Sequence, residues 1–124
     1  MSTSSNKKIG LVLSGGGARG FAHVGVLKVL EQHGIRFDLI AGTSAGSIVG
    51  GALASGMNAA EIEAMARRIG WLNTIRPTLP FRGLLSTAPI GRFLARELPV
   101  TRFEDLPVPF AAVAFDLAAG REVV

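Results

Sequence analysis

The chain contains no cysteine. A disulfide framework, a thiolate zinc site and a cysteine nucleophile are therefore excluded, and the composition fits a cytoplasmic protein. Long apolar runs are missing too. No stretch approaches the roughly 20 apolar residues of a membrane span. The run behind the basic N-terminus, Ile9 to Leu13, falls short of the roughly 7–15 apolar residues of a signal peptide, so residues 1–8 are expected to be a disordered leader. Histidine is scarce: His23 and His33 are the only two, and neither follows the serine motif described below. Charged residues make up 18% and hydrophobic residues 48% of the 124 positions, the balance of one globular domain rather than a disordered segment.

The formal net charge is +4, and seven arginines fall between Arg67 and Arg102. A solvated surface is one reading of that stretch. A face that approaches anionic lipid headgroups is the other. Nucleic acid is not an expected partner, because no dense Lys/Arg block is interleaved with aromatics.

Glycine is abundant, 16 of 124, and clustered. Clusters of this kind mark backbone-shaped sites. The apolar β-branched segment K-I-G-L-V-L-S (Lys8 to Ser14) reads as a buried parallel strand. Gly15-Gly16-Gly17-Ala18-Arg19-Gly20 follows, then a helical pattern from Phe21 to His33 with Gly34 as its stop. Phe37 to Ala41 is a second strand, and Gly42-Thr43-Ser44-Ala45-Gly46 comes directly after it. Ser47 to Ser55 reads as a buried helix. Asn58 and Glu61 form a capping-box start for a helix reaching Ile69. Residues 73–87, with Pro77, Pro80 and Gly83, read as a long irregular loop, a candidate lid. A helix over Pro89 to Leu98, a third strand over Phe110 to Phe115 and a final strand from Arg121 complete the pass. The order predicts an α/β fold with a parallel sheet. A parallel sheet of so few strands leaves an open edge, and the last strand stops abruptly, so the chain reads as part of a larger domain.

Two motifs carry chemistry. Gly42-Thr43-Ser44-Ala45-Gly46 is a G-x-S-x-G. A serine on a tight strand-to-helix turn projects its hydroxyl from the top of the sheet, and the flanking glycines remove side chains that would collide across the turn. The helix N-terminus behind it favours developing negative charge. The second motif, Gly15 to Gly20, presents backbone N–H groups at a helix start. It reads either as an oxyanion hole facing Ser44 or as a dinucleotide loop, since Gly15-x-Gly17-x-x-Gly20 is also a G-x-G-x-x-G. The dinucleotide fingerprint requires an acid at the end of the second strand, whereas Asp38 lies at its start. Arg19 is placed to steady either an anion or the loop. His23 reads as a packing or capping residue rather than a base. Among later acids Asp116 stands out, because a strand end would bring it to the edge of the sheet that carries both loops.

The segment K-I-G-L-V-L-S with Gly-Gly-Gly-Ala-Arg-Gly, then F-D-L-I-A-Gly-Thr-Ser-Ala-Gly, and later A-V-A-F-D-L-x-x-G-R-E, resembles the bacterial patatin-like phospholipases. The resemblance runs from about Lys8 to Val124. It implies a three-layer, parallel-sheet patatin-like fold, of which residues 9–124 are an N-terminal part, incomplete at the C-terminus. It also implies a serine lipid acyl hydrolase that uses a Ser–Asp dyad without histidine and needs no cofactor or metal. Ser44 maps to the nucleophile. Gly15, Gly16, Gly17 and Arg19 map to the oxyanion-hole loop, and Gly42, Thr43, Ala45 and Gly46 to the elbow. The family's dyad Asp lies in an Asp-Gly motif, which this sequence lacks, and Asp116 matches a different Asp of the pattern. The implied partner is a lipid or ester substrate, with peripheral contact to a membrane surface. A nucleotide-binding module and a non-catalytic regulatory relative are the alternatives.

Overall fold

The computed structural model describes residues 7–69, 76–77, 85–86 and 88–124. Strand β1 (Gly10–Leu13) leads through a 3-10 turn (Gly17–Phe21) into α1 (Ala22–Gln32), then β2 (Leu39–Gly42) leads into α2 (Ala45–Ala54). Helix α3 (Ala59–Arg68) follows, then the short antiparallel pair β3 (Arg76–Pro77) and β4 (Leu85–Ser86), helix α4 (Ala88–Glu97) and strand β5 (Phe110–Ala112). The chain closes with the antiparallel hairpin of β6 (Ala114–Asp116) and β7 (Arg121–Val123). Of the expected leader, residues 1–6 lie outside the described residues, as does most of the candidate lid over 73–87.

Strands β1, β2 and β5 form a parallel sheet with β2 in the centre. Period-two alternation turns Leu13 and Ile40 toward the helices, where they are 5% and 1% exposed. Val12 and Leu39 turn to the opposite face and are 80% and 49% exposed. Helices α1, α2 and α3 bury one face through Leu13, Val24, Leu27, Val49, Ala52, Ile62 and Met65. The described residues therefore form two layers, and the third layer of the expected architecture is not among them. None of the described helices is long and apolar enough to cross a membrane.

The helix boundaries have local causes. Gly34 adopts φ +68° behind α1 and its N–H donates to the Glu31 carbonyl, the left-handed stop that a glycine takes without strain. At α3 the Asn58 side chain accepts from the Glu61 N–H at 2.9 Å, while the Glu61 carboxylate accepts from the Asn58 N–H at 2.8 Å. The Glu31 carboxylate accepts from the Ala59 N–H at 2.8 Å, so α1 also caps α3. The two helices are further tied where Lys28 meets Glu63, which in turn receives Arg67 at 2.8 Å.

Three expectations are corrected. The second strand runs Leu39–Gly42 rather than Phe37–Ala41, because the Asp38 carboxylate takes the Ile9 N–H at 2.8 Å just before the ladder begins. The buried helix starts at Ala45, not Ser47, because the Ser44 carbonyl already accepts the Ser47 and Ile48 N–H groups. The third strand is two. Its ladder with β2 ends at Ala112, where β2 itself ends, and Ala114–Asp116 leaves the sheet to pair with Arg121–Val123.

Replacing Asn58 by Ala should lower unfolding free energy by about 1 kcal/mol, read as a shift of the urea midpoint without a change of slope. The Lys28 ammonium, and then the Arg67 guanidinium, hydrogen-bond to Glu63 and hold its carboxyl below the usual carboxylate range. A depressed carboxylate contributes stability that is full above its unfolded value of about 4.3 and is lost as pH falls through its folded value. Glu63→Gln should therefore reduce Tm by a constant small amount from pH 7 to about pH 5, and the gap to wild type should close in more acidic buffer.

Candidate active site

Because β1 and β2 are parallel neighbours in register Leu13↔Gly42, the loops that follow them emerge side by side at the carboxyl edge of the sheet. The Thr43 N–H extends the pairing by donating to the Leu13 carbonyl at 3.2 Å. Ser44 then takes φ 52°, ψ −126°, and it is the one non-glycine residue with positive φ among those described. Such a conformation costs on the order of 1–3 kcal/mol and persists only where the surroundings over-determine it.

They do so here. The Ser44 carbonyl accepts from the Ser47 N–H at 2.9 Å and the Ser47 hydroxyl at 2.6 Å, and Gly46 N–H donates to the Thr43 carbonyl at 2.9 Å. Both motif glycines are sterically required. A Cβ on Gly46 would fall 2.5 Å from the Ser14 carbonyl oxygen and closer still to that of Leu13. One on Gly42 would fall 2.6 Å from the Gly46 carbonyl carbon. Helix α2 thus lies against the end of β1, leaving the Ser44 side chain exposed above the sheet.

The glycine loop lies beside it. A Cβ on Gly15 would be 3.2 Å from the Ser44 Cβ and 3.8 Å from its Oγ. Gly16 and Gly17 take φ +152° and +55°, and the Gly16 carbonyl accepts from the Arg19 N–H at 3.1 Å. Among the described residues the N–H groups of Gly15 and Gly16 have no protein acceptor. Gly20 is buried against Ala45, where a Cβ would collide with the alanine methyl, so the loop and the elbow are packed directly on each other. The Arg19 side chain is exposed and has no ion-pair partner among the described residues.

The titratable groups are placed elsewhere. The Ser14 carbonyl lies 2.8 Å from His23 Nε2; a carbonyl only accepts, so Nε2 carries the proton and the ring ties α1 to the end of β1. His33 caps α1 through the Val29 carbonyl at 2.8 Å. Asp116 ends β6, in the hairpin with β7. Its carboxylate accepts from the Ala118 and Ala119 N–H groups at 2.9 and 3.0 Å and shapes the β6–β7 turn. Glu61 caps α3, Glu63 and Glu97 pair with Lys28 and Arg68, and Glu104 and Asp105 flank Arg102. Asp38 holds the Ile9 N–H at the amino end of the sheet, opposite the glycine loop, so the acid required by a dinucleotide site is not where a ribose would lie. No group of three or more acids or histidines among the described residues is arranged to hold a metal.

Sequence reasoning missed Ser47, whose hydroxyl fixes the Ser44 carbonyl. Its signal was the i,i+3 spacing at which serines bond backbone in a first helical turn. The Gly20–Ala45 contact was also missed, since no local pattern announces a contact between separate loops.

Ser44 is thus held in strained backbone on a strand-to-helix turn of an α/β protein, with a glycine loop packed against it. Residues 11–122 match the Patatin-like phospholipase family, and the chain belongs to that family. It is 56% identical over 112 residues to a protein named Lysophospholipase NTE1 from Candida albicans, covering 86% of this chain and 8% of that protein. It is 36% identical over 123 residues to an uncharacterized NTE family protein of Mycobacterium tuberculosis, covering 97% of this chain and 34% of that protein. The chain therefore spans about a third of the mycobacterial relative and under a tenth of the yeast one.

If Ser44 stores backbone strain, Ser44→Gly should be more stable than Ser44→Ala by about 1 kcal/mol, net of the chain entropy that glycine adds to the unfolded state. Equal midpoints in chemical denaturation would mean that the turn is unstrained.

Proposed function

We propose that the protein is a serine lipid acyl hydrolase, a phospholipase or esterase in which Ser44 is the nucleophile. The observation that carries this reading is the strained, exposed Ser44 at the head of α2 with the Gly15 backbone beside its hydroxyl. Family membership and relatives named lysophospholipases support a lipid ester as substrate.

In this reading Ser44 Oγ attacks the ester carbonyl carbon while its proton passes to a carboxylate. The carbonyl oxygen becomes an oxyanion, held by N–H groups of Gly15, Gly16 and Gly17 and favoured by the positive end of α2, with Arg19 beside the loop. Collapse of the tetrahedral intermediate expels the alcohol, which takes up the proton. Water then cleaves the acyl-enzyme and restores the Ser44 hydroxyl. One oxyanion donor is worth about 10²–10³ in rate. In this reading the carboxylate is the aspartate of the Ser–Asp dyad, which the family carries in an Asp-Gly motif that this sequence lacks. Peripheral contact with a membrane surface fits the arginines between Arg67 and Arg102. A second reading, a non-catalytic patatin-like regulatory protein, is favoured by that missing Asp-Gly motif.

A fluorophosphonate, followed by intact mass, should label the whole protein once and leave Ser44→Ala unlabelled. The same variant should abolish ester hydrolysis without changing Tm by more than a few degrees. Hydrolysis retained in Ser44→Ala would end the assignment, and a folded whole protein that neither labels nor hydrolyses would select the regulatory reading.

A further inference from the structure

Gly15, Gly16 and Gly17 follow one another beside Ser44, and a run of glycines does not by itself keep one backbone shape. Two hydrogen bonds to carbonyl oxygens hold this one. The Arg19 N–H donates to the Gly16 carbonyl at 3.1 Å. His23, half-buried in the first turn of α1, reaches back along the chain and donates from Nε2 to the Ser14 carbonyl at 2.8 Å. A carbonyl and the N–H that follows it belong to one rigid trans peptide unit and point in opposite directions. A bond that fixes the Gly16 carbonyl therefore also fixes the Gly17 N–H, and a bond that fixes the Ser14 carbonyl also fixes the Gly15 N–H. The far end of the loop is anchored separately, by Gly20 packed on Ala45.

We propose that His23 is a positioning residue for acyl transfer: through the Ser14 carbonyl it holds the Gly15 N–H ready to receive the oxyanion formed at Ser44. The inference rests on the hydrolase reading above. Two observations argue for it. Gly15 lies directly against the Ser44 side chain, and its N–H has no protein acceptor among the described residues. The bond has an electronic effect as well. A donor on a peptide carbonyl polarises the amide and strengthens the next N–H by on the order of 10–30%. The same bond keeps His23 out of the proton transfer. With Nε2 carrying a proton and donating it to Ser14, that nitrogen has no lone pair for the Ser44 hydroxyl. His23 thus acts on the oxyanion through the backbone and not on the nucleophile.

The test uses the whole protein and a p-nitrophenyl ester, with active sites counted by end-point fluorophosphonate labelling. His23→Asn carries its amide near the place of Nδ1 and leaves the Ser14 carbonyl unbonded, whereas His23→Gln carries a donor near the place of Nε2. In His23→Asn, kcat per labelled site should fall by about tenfold or more, toward the roughly 10²–10³ of a lost oxyanion donor. KM should not change, because the lost interaction is made in the transition state alone. His23→Gln should recover most of the loss. A tie that only held α1 to β1 would lower Tm and leave kcat per labelled site as it was. A second measurement needs no turnover. Ser-Gly steps occur in these residues at Ser14–Gly15 and Ser55–Gly56, so isotopic labelling of serine carbonyl carbon and glycine nitrogen in the Ser44→Ala protein picks out the Gly15 amide by NMR, with Gly56 as control. The Gly15 signal should move when His23→Asn is added and return with His23→Gln. A signal that stays in place in His23→Asn, or one that moves while kcat per labelled site does not fall, overturns the proposal. A wild-type protein that neither labels nor hydrolyses ends the hydrolase reading and the oxyanion role with it, while a Gly15 signal that follows His23 still supports the backbone positioning.

Discussion

Gly46 of α2 rests on the carbonyl oxygens of Leu13 and Ser14, and no side chain fits between them. The other features of the site depend on that contact. It lets the helix start directly above the sheet and forces the preceding residue, Ser44, into left-handed backbone. It also draws the loop after β1 against the loop after β2. The parallel register of β1 with β2 brings the two loops to one edge, and the Gly46 contact then closes the remaining distance. His23 reinforces the arrangement by donating to the Ser14 carbonyl while the Thr43 N–H donates to that of Leu13, so both carbonyls at the end of β1 are engaged by the elements that surround the serine.

Much of this was legible in the residues. The G-x-S-x-G between an apolar strand and a helix located the turn, because only a tight, side-chain-free crossing needs glycines two before and two after a serine. The Asn58–Glu61 capping box predicted the start of α3, because both of its bonds are local. The error in the third strand has a clear cause. Strand limits are set by the partner strand: β5 ends where β2 ends, and Phe115 and Asp116 belong to a hairpin that no period-two pattern separates from the strand before it. Asp116 ends β6 of that hairpin rather than a strand of the parallel sheet.

The distribution of charge separates two jobs. Acids hold the scaffold: Glu31 and Glu61 cap α3, Glu63 joins α1 to α3, and Glu97 joins α4 to Arg68 of α3. The edge around Ser44 has N–H groups, a helix N-terminus and Arg19, all of positive character. Groups of positive character are suited to receive a negatively charged oxygen.

Among the described residues the sheet is covered on one side only. Val12 and Leu39 lie on the uncovered side, and β1 and β5 are its two edges among the described residues. A flat apolar slab with open edges on a molecule of charge +4 is a colloid with a short-range attraction and a long-range repulsion. Salt screens the repulsion within a Debye length of about 8 Å at physiological ionic strength and leaves the attraction intact. The consequence is practical: these residues handled on their own will keep best in dilute, low-salt solution, and the ammonium sulfate or high-salt steps that preserve most enzymes will drive them together.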